Sequence, residues 1–375
     1  MICIALSNRS LSSPNRQDQN RAVLLFRWLF PVIFLLGSVG ANAATVGRTL
    51  TFPLADDVVQ RGPSETADVH FSLSPGNNPV RVQLIPADKA FAPNNIREIS
   101  VPAGTIRGVF PAVPGGFYSL CLKGRPNTCR HVGVGEIFLV AGQSNAVSVA
   151  DPGKPVVSET GRVAVSVHHG NDPEHANEPP GTETLHFVTK DHPTMVGVCW
   201  VRLGDLLVQK YKVPIGFVLV ARSATNTECW NPAGGICWGP AAKALAARRF
   251  RAVLWHQGES DVMAGFPMEK SLANMRAMIT ASREIQPNIP WIVARNSLKN
   301  ATPYAEQAVR RAQETLIASG TVRPGPDTDV LRDHPGWVGV ADFGPDARKR
   351  CGELWFAPVD ALLSENVTHM KRHAP

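Results

Sequence analysis

No run of lysine and arginine, and no interleaving of aromatic with basic residues, occurs in the 375 residues, so the electrostatic footprint of a nucleic-acid reader is missing. No pair of cysteines has the tight spacing, with histidine alongside, that a structural zinc site uses. No apolar stretch reaches the roughly 20 residues of a membrane-spanning helix. Leu29 to Gly37 comes nearest, and it is short and interrupted by Pro31. Residues 44–133 also lack a cluster of aromatics of the kind that makes a flat platform for a sugar ring. Nucleic acid, structural zinc and a permanent membrane span therefore drop out at the start.

What is present begins with a leader. Arg21 and Arg27 flank the apolar core, and Ala41-Asn42-Ala43-Ala44 follows it. A basic flank, a short core and an A-x-A site make residues 1–43 a secretory signal peptide, and the protein is expected to be secreted or periplasmic, with no membrane attachment after cleavage. Cleavage removes four arginines and one aspartate, so the formal charge falls from +7 to +4. Cys121, Cys129, Cys199, Cys229, Cys237 and Cys351 remain, an even set that suits disulfides and allows fifteen pairings. Cys121 and Cys129 flank the turn-rich Gly124-Arg125-Pro126-Asn127 and are the first pairing expected; Cys229 with Cys237 is the second. Cys199 and Cys351 are left over as free core thiols.

Two grammars divide the rest. Residues 44–133 carry short strand-like runs between turn formers, such as Val69 to Leu73, Val80 to Ile85, Ile96 to Val101 and Phe117 to Cys121. They show no helical period and no recognisable catalytic grouping, which predicts a small all-β sandwich. From residue 134 to 375, strands and helices alternate. Val196, Trp200, Leu203, Leu207 and Tyr211 recur at helical spacing within Met195 to Lys212, and the buried run Val213 to Val220 follows. Helices are expected also over 241–249, 268–285, 304–318 and 346–363, with a strand at Pro290 to Ala294. This βαβ rhythm predicts a parallel three-layer α/β domain.

Within it, Ile137-Phe138-Leu139-Val140-Ala141-Gly142-Gln143-Ser144-Asn145 is an apolar run that stops at a glycine and presents a serine between two amides. A buried parallel strand ending this way delivers Ser144 to the crevice where open α/β sheets bind ligands. Arg251 to Asp261 repeats the pattern with Trp255-His256-Gln257-Gly258-Glu259-Ser260-Asp261. These two stretches resemble the first and third sequence blocks of SGNH hydrolases, in the branch of sialate O-acetylesterases and related carbohydrate esterases. Gly325 to Asp329 and Gly352-Glu353-Leu354-Trp355 extend the likeness. The resemblance implies a flavodoxin-like α/β/α domain that hydrolyses esters, typically acetyl esters on sugars, through a serine nucleophile and with no metal or other cofactor.

By that resemblance Ser144 is the nucleophile, and its N–H with the Gln257 amide forms the oxyanion hole. Gln143 and Asn145 brace the turn; Glu259 orients a neighbouring loop or hydrogen-bonds near the site, with a carboxylate at a helix start as the plainer reading; His256 packs or braces, with a base as the lesser reading. Two blocks depart from the pattern. A Gly-Gly-Thr-Ser-like turn is replaced by Ala221-Arg222-Ser223-Ala224-Thr225-Asn226, where a positive φ costs an alanine about 1 kcal/mol. The final Asp-x-x-His-Phe-like block places Asp342-Phe343 where His-Phe is expected and Gly339 where Asp is expected. On this reading an aspartate at 342 is not expected to do the work of an imidazole that exchanges protons near neutral pH. His334, eight residues upstream, is the candidate replacement base. His168, His169, His175, His186 and His192 belong to a Pro/Gly/Asn-rich insert, and His369 and His373 to a basic tail.

The expectation is an exported serine esterase that removes acetyl or other short acyl groups from a carbohydrate. The alternative is an SGNH-fold protein that has lost turnover and binds a glycan or partner through the same crevice. A lipase or thioesterase on this fold is a third option.

Overall fold

The computed structural model describes residues 48–53, 56–87, 95–167, 185–298 and 302–373, the last eight of these by backbone alone. The expected leader over residues 1–43, His168, His169 and His175 lie outside the described residues, as do the side chains of His369 and His373.

The N-terminal part is all β: β1 (Leu50–Phe52), β2 (Asp57–Gln60), β3 (Thr66–Leu73), β4 (Val80–Pro86), β5 (Arg97–Val101), β6 (Arg107–Pro114), β7 (Gly116–Leu122) and β8 (Arg125–Gly142). β1, β3 and β6 make one sheet; β5, β4, β7 and the first half of β8 make the other. Val69, Phe71, Val82, Leu84, Phe110 and Leu120 form their shared core. Cys121 on β7 is bonded to Cys129 on β8.

β8 does not stop at residue 133. Its second half pairs in parallel with the strands of the following α/β layer, so one strand of 18 residues serves both parts. The buried carboxylate of Glu136 marks the junction. It accepts from Gln60 Nε2 at 2.7 Å, Arg61 Nε at 2.7 Å and Arg251 Nε at 2.6 Å.

After β8 come α1 (Ser144–Val147), β9 (Val163–Val167), β10 (His186–Phe187), α2 (Val198–Tyr211), β11 (Ile215–Leu219), α3 (Trp238–Ala247), β12 (Ala252–His256), α4 (Glu259–Met263), α5 (Met268–Ile285), β13 (Trp291–Arg295), α6 (Pro303–Ala318), β14 (Arg323–Asp327), β15 (Trp337–Val338), β16 (Asp342–Phe343) and α7 (Pro345–His373). The sheet runs β10-β9-β11-β8-β12-β13-β14. Taken in chain order, the five parallel strands β8, β11, β12, β13 and β14 lie as 2-1-3-4-5, the flavodoxin-like order, and a further parallel strand β9, with the antiparallel β10, is added beyond β11.

Strand alternation explains the two buried faces. Phe138 and Val140 of β8 point to the core shared with α2 and α7, where Trp200, Leu203, Trp355 and Val359 meet them. Ile137, Leu139 and Ala141 point to the opposite core, against Ala241, Leu245, Met275 and Ile279 of α3 and α5. The switch in strand direction of travel falls between β8 and β12, so the crevice at their carboxyl ends is where this topology places a ligand. The second expected disulfide, Cys229–Cys237, closes the loop before α3, and Cys199 and Cys351 are buried free thiols.

Candidate active site

The site starts from two glycines that let β8 and β12 end side by side. Gly142 has φ +135, and a Cβ there would lie 2.1 Å from His256 O. Gly258 has φ +151, and its Cβ would strike the Asn296 side chain at 2.5 Å. No other residue type fits at either place without moving backbone or a buried amide. Gln143 N–H then donates to His256 O at 3.1 Å, and Arg222 N–H donates to Gly142 O at 2.9 Å. The second of these bonds draws the turn after β11 up to the end of β8.

Ser144 opens α1 and is half-buried. Its hydroxyl donates to Asp342 Oδ1 at 2.6 Å, across 198 positions of sequence. That length is typical of O–H···O⁻ bonds, which are about 2.5–2.7 Å. The Ser144 N–H donates to no described residue, and the same is true of the N–H groups of Ser223 and Ala224 in the adjoining exposed turn. Ala224 has φ +57, the left-handed conformation that a glycine would take at no cost.

Asn145 is buried and fixes the segment that carries Asp342. Its Nδ2 donates to Ala341 O at 2.7 Å and to Glu259 Oε1 at 3.3 Å, and its Oδ1 accepts from Phe343 N–H at 3.1 Å. Asp342 is thus held by the main chain on both sides. Gln143 Oε1 accepts from Ser260 N–H at 3.0 Å, which locks the start of α4 against the turn that carries Ser144.

Gln257 is buried, and its Nε2 donates to Asp261 Oδ1 at 2.8 Å and to Thr225 O at 3.2 Å. In this arrangement its amide hydrogens are spent inside the protein, on the Thr225 carbonyl beside Ala224 and on the Asp261 carboxylate. Asp261 also accepts from Thr227 N–H, Thr227 Oγ1 and Ser271 Oγ, so one buried carboxylate organises four donors. Asp261 carries no motif of its own in the sequence; its place four residues after Gln257, at the start of a short helix, is the one signal the chain offers.

Glu259 is fully buried. Burial pushes its carboxyl up from the ordinary range, His256 and Asn145 counter that, and the nearby Asp342 adds to it. Arg348 on α7 donates to Val149 O and is drawn down by burial, with Asp151 and Asp342 as its opposing charges. A guanidinium therefore stands near Asp342, at a position that no motif of the sequence marks.

The histidines lie elsewhere. His334 accepts from Gly336 N–H on Nδ1 at 2.9 Å, within its own loop, and no hydrogen bond of the described residues joins it to Ser144. His256 is fully buried, its ring 5.9 Å from Phe343 and 6.2 Å from Trp355. His186 and His192 are exposed.

Comparison with known proteins bears on this geometry. The sequence model of the family described as carbohydrate esterase, sialic acid-specific acetylesterase matches residues 134–324, just over half of the chain. Among solved structures, a carbohydrate acetylesterase from Xanthomonas citri is similar, with 16% identity, a TM-score of 0.57, and 84% of this chain and 75% of that one covered. A protein of Arabidopsis thaliana gives 17% identity and a TM-score of 0.44 over 61% of this chain and 98% of its own. NanS gives 16% and 0.41 over 61% and 96%. At 16% identity the likeness to the first of these is one of fold alone. Among curated protein sequences nothing matches.

Proposed function

Because this chain belongs to the sialic acid-specific acetylesterase family of carbohydrate esterases, we propose that it is an exported serine esterase that removes acetyl or other short acyl groups from a carbohydrate, with Ser144 as nucleophile. The observation that carries the reading is Ser144 itself. Its hydroxyl stands at the carboxyl end of the central strand, half-buried, and is bonded to a carboxylate at 2.6 Å.

The chemistry asks for a positioned hydroxyl, a proton acceptor and donors for the oxyanion. Ser144 Oγ attacks the ester carbonyl carbon. The developing oxyanion is received by the Ser144 N–H and by N–H groups of the Ser223–Ala224 turn, which Gln257 and Asp261 stiffen from below through Thr225 and Thr227. One such donor is worth about 3 kcal/mol of transition-state stabilisation. The acyl-enzyme is then cleared by water. Two disulfides suit an oxidising compartment, and among the described residues no helix is long and apolar enough to cross a membrane.

A second reading, a binding protein without turnover, draws on the absence of any histidine bonded to Ser144 among the described residues. Hydrolysis of p-nitrophenyl acetate and of O-acetylated sugars by the purified protein, beside Ser144→Ala, separates the two. The esterase reading expects Ser144→Ala to lose at least about 10³-fold in kcat. Equal rates for the two proteins on every ester would hand the site to the binding reading.

A further inference from the structure

We infer that Asp342 is the proton acceptor of Ser144, so that the site runs on a carboxylate base and stays active in acid where an imidazole would be silenced. The inference rests on Ser144 acting as a nucleophile, the reading given above.

Three observations lead to it. The first is contact: Asp342 Oδ1 is the hydrogen-bond acceptor for Ser144 Oγ, at 2.6 Å. The second is fixation. Asp342 sits on the two-residue β16, paired with Val338 of β15, and Asn145 grips the main chain at Ala341 and Phe343. Phe343, fully buried against Trp337, anchors the next position. A group held on both sides by the residue that follows the nucleophile is built for one geometry. The third is the lack of a competitor among the described residues, since His334 is tied to Gly336 and His256 lies buried beside Phe343 and Trp355.

The charged groups around Asp342 fit the role. Arg348 faces it from α7, with Asp151 on the loop after α1 as the other carboxylate near that guanidinium. Glu259 faces it from α4, next to His256, and burial pushes the Glu259 carboxyl up from its ordinary range.

The proton and bond changes balance. As the Ser144 Oγ–carbonyl bond forms, the Oγ–H proton moves to Asp342 Oδ1 and the carbonyl π pair moves to oxygen. Collapse of that intermediate breaks the bond to the sugar oxygen, which takes the proton back from Asp342. Water repeats the sequence on the acyl-enzyme. Aspartate carboxyls titrate near 3.9 and imidazoles near 6.5. A base about 2.6 log units weaker, with about half of that felt in the transition state, slows the step roughly 20-fold at neutral pH. That is well inside the roughly 10²–10⁴-fold that a positioned base contributes.

The test is the rate at which a fluorophosphonate labels Ser144, followed by intact mass from pH 4.5 to 8.5, in the whole protein and in Asp342→Asn, Asp342→His and His334→Ala. This readout needs the nucleophile and its base but no sugar. The expected result is a wild-type rate that changes less than about threefold between pH 5.5 and 8, and a fall of about 100-fold in Asp342→Asn. Asp342→His should label again, with a rate that drops about tenfold per pH unit below about 6.5. The inference is overturned if the wild type shows that same limb near 6.5, if Asp342→Asn labels at the wild-type rate, if His334→Ala abolishes labelling, or if the wild type is not labelled at any pH. Ester turnover measured in parallel keeps the two ideas apart. Acid-tolerant labelling without cleavage of any acetylated sugar rejects the esterase reading and keeps the base, whereas cleavage with an imidazole-like limb does the reverse.

Discussion

Asn145→Ala removes the clamp on Asp342 and leaves every group of the chemistry in place. In the native protein its amide makes three hydrogen bonds, to Ala341 O, Phe343 N–H and Glu259 Oε1. Deleting it strands a buried main-chain carbonyl and a buried N–H, each costing about 1–3 kcal/mol when left unpaired. Water entering the space vacated returns part of this, so a loss of about 2–4 kcal/mol in unfolding free energy is expected by urea titration. The catalytic effect is separable from the loss of stability. Once Ala341 and Phe343 are released, Asp342 is free to drift from Ser144, and a displacement near 1 Å is worth about 10²-fold in rate. The fall should appear in kcat on p-nitrophenyl acetate, with KM little changed, because Asn145 is buried and reaches no substrate. Asn145→Asp keeps the acceptor for Phe343 N–H, loses the donor to Ala341 O, and sets a second carboxylate against Glu259. It should be closer to wild type at pH 5 than at pH 8. A kcat/KM within twofold of wild type, with an unchanged urea midpoint, for Asn145→Ala would refute the clamp.

Two further changes probe the walls of the site. Glu259 is a carboxyl whose folded pKa is raised by burial, so between its unfolded value near 4.3 and that higher value the native state binds the proton and the unfolded state releases it. Stability therefore falls as pH rises through that window and stays lower above it. Glu259→Gln, which keeps an acceptor for Asn145, should raise Tm at pH 8 relative to wild type and flatten the pH dependence; an equal Tm difference at pH 4 and pH 8 would count against a buried charge. Ala224→Gly relieves a left-handed φ of +57. The relief, about 1–2 kcal/mol, is partly offset by the extra freedom of glycine in the unfolded chain, for a net gain of roughly 0.5–1 kcal/mol in urea with activity preserved.

Much of this could be read from the chain because it is written in local periods. The apolar run ending at Gly142 is strand β8, Val196 to Tyr211 marks α2, and the Met268 to Ile285 stripe is α5 to the residue. Both expected disulfides close short turns, for which spacing is a sufficient guide. The division between residues 133 and 134 falls inside β8, and no local signal could have warned of that. Gly133 and Gly135 punctuate the sequence there, while the strand passes straight through because β7 covers its first half and β11 and β12 its second. Asp261 was equally silent, since a buried acid that gathers donors from Thr227, Gln257 and Ser271 looks on paper like an ordinary helix-start carboxylate.

Asp342 is the instructive case, because its position was legible and its contact was not. Counting back from Gly352-Glu353-Leu354-Trp355 located the residue that stands where an imidazole is expected, and the difference in residue type argued for seeking the base upstream at His334. The structure brings no imidazole to Ser144 among its described residues; it brings Asp342. The delivery depends on backbone groups, Ala341 O and Phe343 N–H, which any sequence supplies, and on the Asn145 amide, which the nucleophile motif supplies by itself. The machinery that presents a side chain at this point is therefore indifferent to whether that side chain is histidine or aspartate. An exchange at 342 changes the basicity of the group presented and leaves the presentation intact. For that reason pH, more than the presence or absence of activity, is the variable on which the two chemistries part.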